Sequence, residues 1–210
     1  MATSKVFGEV DPRFQIVKDV FVQNFERYGE IGASFCVYFN GQKVVDLYGG
    51  WANQQANEPW QRDTLTNVYS CTKFVTNVCI THLVSKGFIT FDTKISQIWP
   101  DFGNNGKENI TIEQLITHQA GLIHLSSKRV TNEEMVTWTE YLHGKRPAPA
   151  LYDTLVSQPS MFNKEHYGKV IAYSPLVIGF YVSEIVRRSD PQNRRFSILH
   201  SFYTTKEIFK

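Results

Sequence analysis

The stretch Asn67-Val-Tyr-Ser-Cys-Thr-Lys-Phe-Val-Thr-Asn-Val78 sets a serine, Ser70, three residues before a lysine, Lys73, and then turns apolar with helical spacing. Residues three apart on a helix share a face, so the amine can take the hydroxyl's proton. The spacing alone is weak. With 14 Ser and 13 Lys among 210 residues, chance supplies about one Ser-x-x-Lys, and this chain has one. The bland rival is a helix-capping serine with a lysine in the first turn. What surrounds the stretch decides between them.

The helix that starts near Ser70 ends at Gly87, a favourable C-terminal cap. Its apolar residues, Phe74, Val75, Val78, Cys79, Ile80, Leu83 and Val84, cover more than one stripe. This predicts a helix buried on several sides, where a buried lysine amine loses basicity and becomes a useful base. Upstream, Phe14, Val17, Val20, Phe21 and Phe25 mark an amphipathic helix over 11–29. Two β-prone runs, 33–39 and 43–48, are joined by Asn40-Gly41, a strong hairpin signal because both turn positions need positive φ. Gly49-Gly50 is expected to end the second strand, and 51–66 to be polar loop pinned by Trp51, Pro59 and Trp60.

Downstream, Ile95 to Trp99 is apolar and stops at Pro100, and Thr111 caps a short helix. Residues 143–160 read as a Pro-rich connector, and 173–188 as a last apolar helix, Leu176 to Val186. Its closing Arg187-Arg188 suits the negative end of the helix dipole. Helix, hairpin, then mostly helices makes an α+β layout with a sheet that looks unfinished.

Composition excludes several classes. At 42% hydrophobic and 20% charged the chain is ordinary for a globular protein. No apolar run reaches the roughly 18 residues of a membrane span, and the first residues lack the apolar centre of a secretory signal, so a cytoplasmic protein is expected. Cys36, Cys71 and Cys79 are odd in number and lie in apolar segments, as packed thiols do. Residues 187–210 hold six basic side chains against two acidic ones. Without aromatic interleaving, zinc spacing or a phosphate-binding loop, that excess reads as a solvated chain end, not a nucleic-acid surface. His82, His124, His143, His166 and His200 show no metal-ligand spacing, so neither a metal nor a cofactor is expected.

Four longer runs accompany the Ser-x-x-Lys segment: Leu83-Val-Ser-Lys-Gly-Phe-Ile-Thr-Phe-Asp, Trp99-Pro-Asp-Phe, Ile110-Thr-Ile-Glu-Gln-Leu-Ile-Thr-His-Gln-Ala-Gly-Leu122 and Tyr173-Ser-Pro-Leu-Val-Ile-Gly-Phe. Together, and in this order, they resemble the serine β-lactamase and penicillin-binding-protein superfamily, in particular class C enzymes and the carboxylesterases of the same fold. The resemblance runs from about Gly8 to Arg188. It implies a β-lactamase/transpeptidase-like α+β fold: residues 8–66 supply a helix and hairpin, and 67–188 a mostly helical part. Residues 189–210 then read as a basic tail unrelated to the family.

The resemblance also implies roles. Ser70 corresponds to the acyl-accepting nucleophile, Lys73 to the lysine that shares its proton, and Tyr173 to the tyrosine that assists proton transfer. His118 is expected to be structural. Pro175 stands where the family prefers Asn or a small residue, and Pro lacks a donor. The family's third motif, a Lys or His, a small residue and Gly, has no match, since the last glycine is Gly179 and Thr204-Thr-Lys206 does not fit. One missing oxyanion donor costs on the order of 10²–10³ in rate.

The expectation is therefore a serine hydrolase that forms an acyl-enzyme at Ser70 and hydrolyses small esters or amides. The alternative is a catalytically impaired, truncated family member that acts as an interaction module or not at all. A two-stranded ribbon with open edges also predicts self-association.

Overall fold

The computed structural model describes residues 5–191, and the chain divides into two compact units between Asn67 and Val68. Of the tail 189–210 only residues 189–191 are described, with Ser189 closing the last helix; the remainder, Thr204-Thr-Lys206 included, lies outside the described residues.

In the first unit, β1 (Val6–Val10), β2 (Gly32–Phe39) and β3 (Gln42–Asn53) form an antiparallel sheet in the order β1-β3-β2, and the short β4 (Glu58–Pro59) pairs with the end of β3. The Asn40-Gly41 turn joins β2 to β3 with both residues at positive φ, +49° and +75°. The hairpin is thus not the whole sheet: β1 covers the far side of β3, with Val6 opposite Gly49 and Val10 opposite Val45.

β3 also runs past Gly49-Gly50 instead of ending there. Both glycines are places where neighbouring backbone comes close. A Cβ on Gly49 would lie 2.6 Å from the Lys5 carbonyl oxygen, and one on Gly50, at φ +80°, would lie 2.1 Å from that of Ile31. The glycines let the strand continue between two partners. A register shift after Val37 leaves Val44 out of the pairing, and this bulge turns both Val44 and Val45 inward. They pack with Leu47 and with Phe21 of α1 (Gln15–Arg27), the helix expected over 11–29.

Among the described residues β2 pairs only with β3. Along it, Phe35, Tyr38 and Phe39 are 45%, 66% and 50% exposed. Trp60 is buried, as a packing point should be, and Trp51 lies within β3.

The second unit is helical: α2 (Thr72–Ser85), α3 (Ile95–Ile98), α4 (Ile112–Ile116), α5 (Asn132–Leu142), α6 (Ala150–Ser157) and α7 (Val177–Ser189). α2 ends as expected, with Gly87 at φ +74°. Its burial differs from the expectation. Thr76, Cys79, Ile80 and Leu83 form one buried face, while Phe74 is 73% exposed. The apolar residues outside that face are only partly covered, so the first turn stays open.

Thr111 caps α4 through a reciprocal pair with Gln114, and Thr131 caps α5 in the same way with Glu134. The connector 143–160 contains a helix, α6, because Pro149 stands just before its first turn, where a missing N–H costs nothing. α7 starts at Val177, later than expected. Pro175 keeps the preceding residues extended, and Ser174 Oγ accepts the Ile178 N–H at 3.2 Å.

The core gathers Ile80, Leu83, Trp99, Phe102, Leu155, Tyr181 and Ile185. Among the described residues, two charged side chains are fully buried. Glu184 is fully buried and ion-paired to Arg187 and Arg188, each at 2.6 Å, so these arginines answer a carboxylate as well as the helix end. Lys107 is also fully buried, and its Nζ donates to the carbonyls of Asn104, Val156 and Gln158.

Candidate active site

Ser70 lies in the 3-10 turn Tyr69–Cys71 that leads into α2. Tyr69 before it holds the left-handed region at φ +44°, which costs a non-glycine residue of order 1–2 kcal/mol. The N-cap positions of this turn and of α2 are Val68 and Cys71, neither making a side-chain cap bond, so Ser70 does not occupy the helix-cap position. Its hydroxyl is engaged elsewhere. Lys73, one turn on, donates from Nζ to Ser70 Oγ at 3.2 Å, and Tyr173 donates from its phenol to the same oxygen at 2.6 Å.

The three residues named from the sequence therefore meet at one oxygen, although 103 positions separate Ser70 from Tyr173. The Lys73 ammonium also stands 5.0 Å from the centre of the Tyr173 ring. The hydrogen bond with Ser70, and then the one with Lys73, holds the Tyr173 phenol below its usual range. Neighbours that favour the phenolate raise the fraction of Tyr173 that is deprotonated, and so ready to accept a proton, at neutral pH.

Lys73 is only half-buried, not enclosed as the helix pattern predicts, and its second hydrogen bond goes to the carbonyl of Pro175 at 2.8 Å. Pro175 thus contributes its main-chain oxygen, which the side-chain mismatch with the family says nothing about. No sequence signal could have found it, because every residue has that carbonyl.

His118, expected to be structural, borders the same place. It ends α4 in the left-handed region at φ +63°. Its carbonyl accepts the Ala172 N–H at 3.0 Å, its Nδ1 accepts the Ser174 N–H at 3.1 Å, and its ring centre lies 4.8 Å from that of Tyr173. Burial first, and then the charge of Lys73, lowers the imidazole's basicity.

A hollow of about 170 Å³ opens beside these groups, lined by Tyr69, Lys73, Thr76, His118, Pro175 and Leu176 among others. A larger one of about 660 Å³ lies between residues 123–130 and 175–177, so both hollows share Pro175 and Leu176. The wall 123–130 is fixed by Gln158, whose side chain accepts the Ser126 N–H and donates to the His124 carbonyl. Among the described residues, no group of three or more His, Cys, Asp or Glu side chains is placed to hold a metal ion, and no helix is long and apolar enough to cross a membrane.

Known proteins share this arrangement of segments. The family model described as Beta-lactamase matches residues 17–198, starting after Gly8 and reaching past Arg188. The esterase/beta-lactamase LipL of Mycobacterium tuberculosis is 40% identical over 123 residues, which are 58% of this chain and 28% of LipL. A penicillin-binding protein homologue from Caulobacter crescentus superposes with a TM-score of 0.80 at 31% identity, over 96% of this chain and 50% of its own. A family VIII carboxylesterase gives 0.76 at 32% identity, over 92% and 48%. The chain thus spans about half the length of these two solved structures and a smaller part of LipL.

Proposed function

The chain belongs to the β-lactamase family and has the α+β fold of β-lactamases and transpeptidases, and from that premise we propose that it is a serine hydrolase with Ser70 as nucleophile. The observation that carries this is the convergence of Lys73 Nζ and Tyr173 OH on Ser70 Oγ, at 3.2 and 2.6 Å. A serine hydroxyl is a poor nucleophile at neutral pH unless a neighbour accepts its proton. Here the phenolate of Tyr173, supported by the Lys73 ammonium, takes that proton as Oγ adds to the carbonyl carbon of an ester or amide.

The tetrahedral adduct collapses, the proton passes to the departing alcohol or amine, and the acyl group stays on Ser70. Water then attacks the acyl carbon, its proton returns through the same groups, and the carboxylic acid leaves. The two hollows that share Pro175 and Leu176, one of them lined by Lys73, offer room for a small substrate beside these groups. The free thiols Cys36, Cys71 and Cys79 support a reducing, cytoplasmic setting.

Intact-mass labelling with a fluorophosphonate tests the proposal. A single adduct on the wild-type chain, absent from Ser70→Ala, is the expected result. A folded, monodisperse sample that takes no label overturns it.

The edge of β2, unpaired among the described residues and with Phe35, Tyr38 and Phe39 exposed along it, favours a second reading. In it the chain is an impaired family member that associates with a second copy through that edge.

A further inference from the structure

We propose that His118 is a positioning residue, one that holds Tyr173 against Ser70 only while its imidazole is neutral. The inference rests on the hydrolase reading above and adds a residue that acts through Tyr173 without touching the substrate.

His118 brackets Tyr173 on both sides. Its carbonyl takes the N–H of Ala172 and its Nδ1 takes the N–H of Ser174, so the residues before and after the tyrosine hang on one histidine. Its ring lies against the Tyr173 ring at 49° between planes. The rest of the turn is fastened as well: Gln119 exchanges hydrogen bonds with Gly168, and Gly121 accepts the Met161 N–H at 3.0 Å. The extended segment before α7 is therefore registered against residues 118–121. The backbone at 118 is left-handed, a conformation that glycine takes at no steric cost. A glycine there would still offer the carbonyl but neither the Nδ1 acceptor nor the ring.

The Nδ1 bond sets the protonation state. To accept an N–H, Nδ1 needs its lone pair, so the ring proton sits on Nε2 and the imidazole is uncharged. Protonation puts the ring's second N–H on Nδ1, pointing at the Ser174 N–H. The bond is then replaced by two opposed donors, and Tyr173 loses one of its two main-chain anchors.

The surroundings favour the neutral form. Lys73 on α2 faces the imidazole with a positive charge, and Tyr173 and Tyr69 are the other titratable groups around it. From α4 come Leu115 and Ile116, and from α7 come Ile178 and Gly179, none of them charged. Among the described residues, no carboxylate lines the hollow beside Lys73 or a smaller one that His118 borders with Leu115, Ala172 and Ser174. Burial and the Lys73 charge disfavour an imidazolium, and the transition falls below the ordinary histidine value of about 6.5.

Two readouts on the full chain test this. The first is the rate of fluorophosphonate labelling between pH 4.5 and 8 for the wild type, His118→Leu and His118→Asn. Asn sets its amide oxygen near the place of Nδ1, so it accepts the Ser174 N–H but does not titrate. Wild-type labelling is expected to fall on acidification with a midpoint below 6.5. His118→Leu should label about tenfold more slowly at pH 8, the worth of one hydrogen bond of about 1.4 kcal/mol. His118→Asn should recover much of that loss and lack the His118 acid limb.

The second readout is the ¹³C-tyrosine NMR resonance of Tyr173, which needs no reaction. It should shift with the His118 titration in the wild type and not in His118→Asn. An unaltered acid limb in His118→Asn, or a Tyr173 resonance indifferent to His118, overturns the inference. A wild type that never labels overturns the hydrolase reading, and the resonance still decides the role of His118.

Discussion

Lys107 is fully buried, and its Nζ donates to three carbonyls, those of Asn104, Val156 and Gln158. The substitution Lys107→Met keeps the bulk and strands all three acceptors, for a loss of about 2–4 kcal/mol by urea unfolding. A loss below about 0.5 kcal/mol would mean that water or a backbone shift replaces the ammonium. Burial also pushes Lys107 down to about 8 from its ordinary 10.5. Between those values the folded chain holds fewer protons than the unfolded one, so this group's contribution to stability rises with pH across the window. The gap between wild type and Lys107→Met is therefore expected to widen from pH 7.5 to pH 10. At this scale the sequence revealed unevenly. Ser70 and Lys73 were nominated by a spacing that only the surrounding runs made specific, and Tyr173 by a resemblance, because side-chain identity carries those signals. The Pro175 carbonyl and the clamp made by His118 depend on which backbone groups meet, and the order of residues does not state that.

Elements were readable where one local rule governs them. The Asn40-Gly41 turn, the Thr111 cap and the Gly87 end each follow from the conformation that a single residue allows. β1 was missed because Val-Phe-Gly-Glu-Val carries a glycine, which reads as a breaker. In the sheet Gly8 is required, since a Cβ there would lie 1.9 Å from the Asp46 carbonyl oxygen. α6 was missed because the prolines around it read as a linker, although one of them marks its start. α7 was recognised, but its charges were misjudged in part. Glu184 is three and four residues before the two arginines, and only the fold shows that it is buried and also accepts the Tyr141 hydroxyl from α5 at 3.1 Å. The substitution Glu184→Gln leaves both guanidiniums without their counter-charge. A buried pair broken on one side costs about 3–5 kcal/mol. The arginine side chains are about a quarter exposed, so water recovers part of it and a loss of about 2–3 kcal/mol is expected. Thermal and urea unfolding measure it, and a change under 1 kcal/mol would show that the arginines find water or other acceptors.

For the molecule as a whole, two facts pull in different directions. The residues assigned to the chemistry meet within the second unit, while in the first unit the outer edges of β1 and β2 are both open among the described residues, and β2 offers the longer one. An open edge offers a row of unpaired N–H and C=O groups, and antiparallel pairing of β2 with β2 from a second copy satisfies both copies with one two-fold contact. Apolar side chains along the strand add to this, since Phe35, Tyr38 and Phe39 lose exposed surface on pairing. Natural edges avoid such pairing with charge, and β2 has none between Gly32 and Phe39. Sedimentation velocity over a hundredfold range of concentration is therefore expected to show monomer passing to dimer. Tyr38→Lys sets a charge on the most exposed of the three aromatic positions and should move the transition to at least tenfold higher concentration, a penalty of about 1.4 kcal/mol or more. Fluorophosphonate labelling of Ser70, a property of the other unit, should be the same in both proteins. A wild type that stays monomeric throughout rules out the edge as a contact and leaves the hydrolase reading standing. A dimer that Tyr38→Lys does not weaken places the contact elsewhere. If labelling falls together with dimerisation, the nucleophile works only in the assembled pair, and the two readings become one.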